Sequence, residues 1–252
     1  KTLSNIGKIE DLRQRILVTL VLVAVYRFGS YVVLPGIDTE ALTGVQTQTE
    51  TGLMSLLDMF SGGAFSKASI FALGIMPYIS ASIVMQLLGI AVPYFQKMQR
   101  EGESGRRKIN QYTRYLTILI LLFQAPSYLL NLKWQNGGID PMYSSLDWTM
   151  FVISSTIILT AGSMFVLWLG ERITDKGIGN GVSMIIMIGI IARFPQAFIQ
   201  EFSTRFTSPN QAGLIGLLIE IIVLLGVIAA AILLVQGVRR VPVQYAKKIV
   251  GN

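Results

Sequence analysis

Three short patterns in this chain contain the residues that are best suited to do chemistry. The string GESG at residues 102–105 is a G-x-S-G pattern, of the kind seen at intramembrane serine proteases. The string GIGNG at residues 177–181 has the glycine content of a phosphate-binding loop. Glu220 is a single acid inside a long apolar block, where a carboxylate often binds a proton or a cation.

The residues around these patterns argue against enzymatic chemistry. The chain contains no histidine and no cysteine, which excludes imidazole metal sites, thiol catalysis and activation of Ser104 by a histidine. The glycines of residues 177–181 lack the dinucleotide fingerprint and the Lys-Ser/Thr ending of a P-loop. They predict instead a tight turn into a helix, with Asn180 near its N-cap. We therefore expect no enzyme, no cofactor and no metal site.

Composition places the chain in a membrane. Of its 252 residues 52% are hydrophobic and only 14% are charged, with a mean hydropathy of +0.58. A soluble domain is normally about a quarter charged. The apolar residues also occur in long blocks, so the predicted fold class is all-α, a polytopic transmembrane helical bundle. Six blocks predict spanning helices, at residues 16–34, 68–92, 115 to about 130, 148–169, 182 to about 198, and 214–235.

A short apolar segment precedes the second predicted helix. Residues 53–60 are too few to span a bilayer, and they are followed by Gly62-Gly63 and by Lys67. A half-helix, a flexible joint and a full helix are typical of a re-entrant or pore-capping segment. An amphipathic helix lying on the membrane surface fits the same pattern equally well.

The basic residues predict the orientation. If the six blocks alternate in direction, sixteen Lys and Arg residues lie on one side and four on the other, with Arg27 inside the first helix. The positive-inside rule makes the side with sixteen cytoplasmic, with both termini there. Arg27 is expected to snorkel or to pair near the far interface. The basic segments 97–114 and 239–248 either bind acidic partners, such as ribosomal RNA, an acidic protein or anionic lipid, or act only as a topology signal.

Aliphatic residues recur every fourth position at Ile75, Ile79 and Ile83, on a block that also contains Ser80 and Ser82. Such a stripe is usually ordinary helix packing. It also fits a hydrophobic constriction that keeps water and ions from crossing a pore.

Four long strings resemble one family, the SecY family of bacterial protein-conducting channels. They are ALGIMPYISASIVMQLL (72–88), EGESGRRKINQYTRY (101–115), LGERITDKGIGNGVS (169–183) and VPVQYAKK (241–248). The resemblance implies ten helices in two inverted halves with a lateral gate between them. This chain matches the first half at residues 1–198, and the sixth helix with the start of the following cytoplasmic loop at 199–252. It resembles the amino-terminal part of a longer protein.

The resemblance also implies roles for individual residues. Residues 53–69 match the plug that closes the channel, with Phe60 in the plug and Gly62 and Gly63 as its hinge. The pore ring matches four aliphatic residues, Ile75, Ile79, Val182 and Ile186. Gln86 and Asn180 match polar positions near the lateral gate. Seven basic residues match the positions where the family docks a ribosome or the motor ATPase SecA: Arg106, Arg107, Arg114, Arg239, Arg240, Lys247 and Lys248.

The function implied is a passive channel in the bacterial cytoplasmic membrane that moves secretory polypeptides across and membrane proteins laterally into the lipid. The partners implied are SecE-like and SecG-like small membrane subunits, SecA, the ribosome, signal sequences, unfolded preproteins and membrane lipid. Two alternatives stay open: a secondary transporter, motivated by Glu220, and an intramembrane hydrolase using Ser104.

Overall fold

The computed structural model describes residues 9–39, 53–135, 147–207 and 213–237. These residues form helices and turns, with an isolated antiparallel bridge between Val33 and Ser69, which confirms the all-α prediction. The helices are α1 Glu10–Gly29, α2 Leu53–Ser61, α3 Met76–Ala91, α4 Pro93–Arg100, α5 Glu103–Gln135, α6 Trp148–Lys176, α7 Gly181–Thr207 and α8 Gly213–Gln236.

Four of the described helices, α5 to α8, are long and apolar enough to cross a membrane. A fifth span is obtained if α3 and α4, which meet at a bend of 98°, are counted as one. The first predicted span, α1, is not among them, because its 20 residues include Glu10, Asp11 and three arginines. The chain is a multi-pass membrane protein.

The two amino-terminal predicted spans had wrong boundaries. Helix α1 ends at Gly29 rather than at residue 34, and α3 begins at Met76 rather than at residue 68. The residues that follow α1 and the residues that precede α3 are hydrogen-bonded to each other. The Leu34 N–H donates to the Ala68 carbonyl and the Ile70 N–H donates to the Val32 carbonyl, both at 2.9 Å. This pairing joins segments that are far apart in sequence. Pro77 in the first turn of α3 was the local signal for the true start.

The charged segment 97–114, which was expected to be a loop between two spanning helices, is helical except for a turn at residues 101–102. Helix α4 occupies Pro93–Arg100, and α5 begins at Glu103, well before the predicted start at Tyr115. The physical reason is that Arg, Lys, Glu and Gln are good helix formers, so a helix continues after its apolar part has left the membrane. For the same reason α6 and α7 extend beyond the predicted ends to Lys176 and Thr207.

The chain divides into two compact units, Lys1–Phe194 and Pro195–Asn252. The first unit contains two buried apolar clusters. One lies around Leu121, Leu129 and Leu159 of α5 and α6, with Phe65 and Ala68 packed into it. The other lies around Tyr26, Phe71 and Ile185, and the candidate site is built on it. In the second unit, α8 carries predominantly exposed apolar side chains.

Candidate functional site

The four residues predicted to form a pore ring lie in one apolar cluster. Ile75, at the N-terminus of α3, is buried with 5% exposure. Ile79 on the first turns of α3, and Val182 and Ile186 on the first turns of α7, are partly buried and pack against the same cluster. Two segments that are distant in sequence therefore bring the four side chains together. Their role as a pore lining stays a prediction.

Sequence reasoning missed the residues that support this cluster. They are Tyr26, Phe71, Val166, Leu169, Ile173 and Ile185, all buried. Val166, Leu169 and Ile173 follow the three- and four-residue spacing of one helix face, so the signal was present in the sequence. It was hidden because every face of α6 is apolar, and periodicity then does not distinguish the core-facing side.

The predicted plug, α2, leads into a compact segment of turns at residues 62–75. Gly62 and Gly63 have φ of +68° and +87°, a region that side chains with a Cβ rarely adopt, so these two positions favour glycine. Two buried tyrosines donate hydrogen bonds into the segment: Tyr26 to the Ser61 carbonyl at 3.3 Å and Tyr128 to the Phe65 carbonyl at 2.7 Å. The predicted hinge is thus a defined turn, packed on all sides.

Charged side chains from three helices meet at this turn. Asp58 of α2 has a side chain only 2% exposed, and its Oδ2 lies 2.6 Å from Nη1 of Arg193 on α7. Its Oδ1 accepts a hydrogen bond from the Ser66 N–H at 2.8 Å. Arg27 of α1 donates to the Gly62 carbonyl at 3.1 Å. Arg27 is therefore a structural contact of the turn, and its position near the far interface stays a prediction.

One face of α7 serves both the apolar cluster and the turn. Val182, Ile186, Gly189 and Arg193 follow each other at intervals of four, three and four residues, so they lie along one side of the helix. At Gly189 the backbones are in close contact, since a Cβ there would lie 2.9 Å from the Phe60 carbonyl oxygen. Only a residue without a side chain allows this approach.

A small cavity of about 20 Å³ separates the plug from the start of α3. It is lined by Leu57 and Phe60 of α2, by Ile75 and Met76, and by Gln124 of α5. Its volume accommodates about one water molecule. Residues of α2 and Ile75 therefore line the same small cavity.

The two residues predicted near a lateral gate each bond within their own segment. Gln86 is exposed on α3 and its Nε2 donates to Ser82 Oγ at 3.3 Å. Asn180 precedes α7, and its Oδ1 accepts from the Ser183 N–H at 3.3 Å, which confirms the predicted N-cap. Their role at a gate is untested by these contacts.

The predicted docking residues fall into three groups. Arg106 and Arg107 are exposed near the start of α5, where Arg107 pairs with Glu103 at 2.8 Å. Arg114 instead pairs with Glu171 at 2.6 Å and so joins α5 to α6. The remaining four, Arg239, Arg240, Lys247 and Lys248, lie outside the described residues.

Neither of the residues behind the two alternatives is a member of this cluster. Ser104 is exposed in the first turn of α5, and Glu220 is exposed on α8. Within ranges 9–39, 53–135, 147–207 and 213–237 there is no group of three or more acidic side chains placed to hold a metal ion.

Comparisons with known proteins agree on one family. The SecY family model matches residues 69–252. Two proteins called protein translocase subunit SecY are each 42% identical to this chain. The protein from Rickettsia conorii aligns with 96% of the chain and the protein from Pseudomonas aeruginosa with 99% of it. The relative from Aquifex aeolicus is 39% identical over 99% of the chain.

The alignments cover 55%, 54% and 58% of these three relatives, so the chain spans about half the length of the curated relatives it matches. Within that half the match is nearly complete and includes α1 to α8. The buried aliphatic cluster and the packed turn lie in the matched region. This chain belongs to the SecY family.

Proposed function

We propose that this chain is the amino-terminal part of the central subunit of a protein-translocation channel. The full-length protein passes secretory polypeptides across the bacterial cytoplasmic membrane and releases membrane proteins sideways into the lipid. The amino terminus is cytoplasmic, on the side that carries sixteen of the basic residues.

The observation that supports this proposal is that Ile75, Ile79, Val182 and Ile186 belong to or pack against one apolar cluster, and that α2 lines a small cavity together with Ile75. Aliphatic side chains form no specific hydrogen bonds with a passing polypeptide, so they adapt to any sequence. When they close, they expel water and so block ions. These four residues are one side of the constriction, and the part of the protein beyond this chain provides the other side.

The channel itself does no chemistry. A signal sequence opens it by binding the open state more tightly than the closed one, which is a shift of populations. The work is supplied by SecA or by a translating ribosome, which dock on the basic surface of α5 and the segment after α8. SecE-like and SecG-like subunits and lipid cover the exposed apolar faces of the helices, such as that of α8.

The test uses the full-length protein, reconstituted in lipid vesicles with its small subunits. We expect Ile79→Ser to let ions leak through the resting channel, because a hydroxyl in the constriction favours water. The matched control is Ile90→Ser on the same helix, at a side chain 73% exposed, which should leave the channel tight. Equal ion conductance in Ile79→Ser and wild type would contradict the pore assignment.

A further inference from the structure

The plug segment contains one feature that ordinary helix packing does not require, a buried carboxylate. Both oxygens of Asp58 are in use, one on the Arg193 guanidinium at 2.6 Å and one on the Ser66 N–H at 2.8 Å. A buried charge is retained only where it is paired and hydrogen-bonded. Asp58 thus fixes three pieces relative to each other: α2, the turn after it, and α7.

A second arginine also contacts the turn. Arg27 of α1 donates to the Gly62 carbonyl at 3.1 Å and to the Tyr31 hydroxyl at 3.3 Å. A Cβ at Gly62 would lie 2.8 Å from Arg27 Nη1 and 3.0 Å from the Cα of Gly189. The turn therefore lies tightly between α1 and α7.

The charged contacts differ in kind from the other contacts of α2. Ser61 and Phe65 receive neutral hydrogen bonds from Tyr26 and Tyr128, and these hold the carbonyls of the turn. Arg193 belongs to α7 and stays with that helix when α2 moves, so separating them breaks a charge-assisted bond. Such bonds are roughly twice as strong as neutral ones.

We propose that Asp58 and Arg193, together with Arg27 at the Gly62 carbonyl, form an electrostatic latch that holds α2 in the closed position. This inference depends on the proposed function, because it assigns to the plug a specific closed-state contact. The latch residues are positioning residues: they set how much of the time the resting channel is open, and they do not contact the polypeptide.

The experiment compares Asp58→Asn, Arg193→Gln and the double variant of the full-length protein in vesicles. The Asp58→Asn change keeps the shape of the side chain and leaves an oxygen that still accepts from the Ser66 N–H. We expect each single change to raise the resting ion conductance about tenfold or more, which corresponds to about 1.4 kcal/mol of lost closed-state preference. The double variant should leak no more than either single one, because all three remove the same interaction.

Two further variants separate the latch from a general loss of structure. Arg193→Lys keeps the charge and should restore most of the closed state. The control pair Asp11→Asn and Arg15→Gln removes an exposed ion pair of 3.3 Å on α1 and should leave conductance unchanged. Thermal unfolding in detergent should change least in the double variant, because removing both charges leaves no buried carboxylate without its partner. Should Asp58→Asn fold poorly, Arg193→Gln alone provides the test.

The outcomes distinguish the latch from the channel. If Ile79→Ser leaks ions but Asp58→Asn and Arg193→Gln do not, the latch is wrong and the channel proposal stands. Leaks of the two single variants that add up in the double variant also overturn the latch, because they would arise independently. If wild type moves no polypeptide and Ile79→Ser does not leak, the proposed function itself fails and the latch fails with it.

Discussion

The two ends of the first unit use charge in opposite ways. At the plug end, which comprises α2, residues 62–75, Arg27 and Arg193, the charged groups contact buried backbone and a buried carboxylate. At the basic end, residues 93–114, the Arg107–Glu103 pair has side chains 80% and 82% exposed. Charge at the plug end therefore fixes internal structure, whereas at the basic end Arg114 joins two helices through Glu171 and the exposed Arg107 stays available to partners. Substitutions at the two ends should differ accordingly.

The largest expected effect is at Gly162 of α6, which contacts the plug end directly. A Cβ there would overlap the Ile70 carbonyl oxygen and lie 3.3 Å from Phe71 Cδ1. Gly162→Leu should lower the free energy of unfolding in detergent by about 3 kcal/mol, because the backbone of the turn must shift. Gly226→Leu on α8, where no atom lies within 4 Å, should not lower it. Equal losses at both sites would mean that the plug end is not closely packed.

A smaller effect is expected at Tyr128. Its hydroxyl donates to the Phe65 carbonyl at 2.7 Å in a buried position. Tyr128→Phe leaves that carbonyl without its donor, which should reduce the free energy of unfolding by about 2 kcal/mol. The matched control on the same helix is Tyr115→Phe, at a side chain 60% exposed, where we expect little change. A loss as large at Tyr115 would contradict the distinction between the two ends.

The smallest effect on stability is expected at Arg107, because exposed pairs four residues apart in a helix contribute at most about 0.5 kcal/mol. Arg107→Gln should instead weaken ribosome binding, and flatten the slope of log K against log salt by about 0.7 to 0.9 for each phosphate that is no longer neutralised. Titrating ribosomes onto the reconstituted full-length protein at several salt concentrations measures both. Lys67→Gln, at the plug end, should leave binding unchanged. An unchanged slope in Arg107→Gln would remove Arg107 from the docking surface.

Sequence reasoning recovered the apolar interior of the long helices and failed at their boundaries. The start of α8 was expected at residue 214 and lies at Gly213, because there the helix begins where the hydrophobicity begins. The start of α5 was expected at Tyr115 and lies at Glu103, since hydropathy marks the membrane and says nothing about where a helix stops outside it. The turns at 62–75 depend on the pairing of Val33 with Ser69, a long-range contact that local propensity does not contain.

The four aliphatic residues of the candidate site could be predicted from the sequence, but the charged contacts of the neighbouring turn could not. The spacing of Ile75 and Ile79 indicated a shared face, and the resemblance to the SecY family added Val182 and Ile186. The ion pair of Asp58 with Arg193 could not be anticipated, because the two residues are distant in sequence and neither belongs to a recognisable motif. Which isolated charged residues pair with each other is known only from the three-dimensional arrangement of the helices.

The shared face of α7 has a consequence for how such a channel is controlled. Val182 and Ile186 belong to the aliphatic cluster, and Gly189 and Arg193 support the turn beneath the plug. Turning this one helix about its own axis by a single residue, about 100°, would withdraw all four together. The aliphatic cluster and the turn after α2 are therefore mechanically coupled through α7, and under the proposed function this rotation would loosen both of them at once.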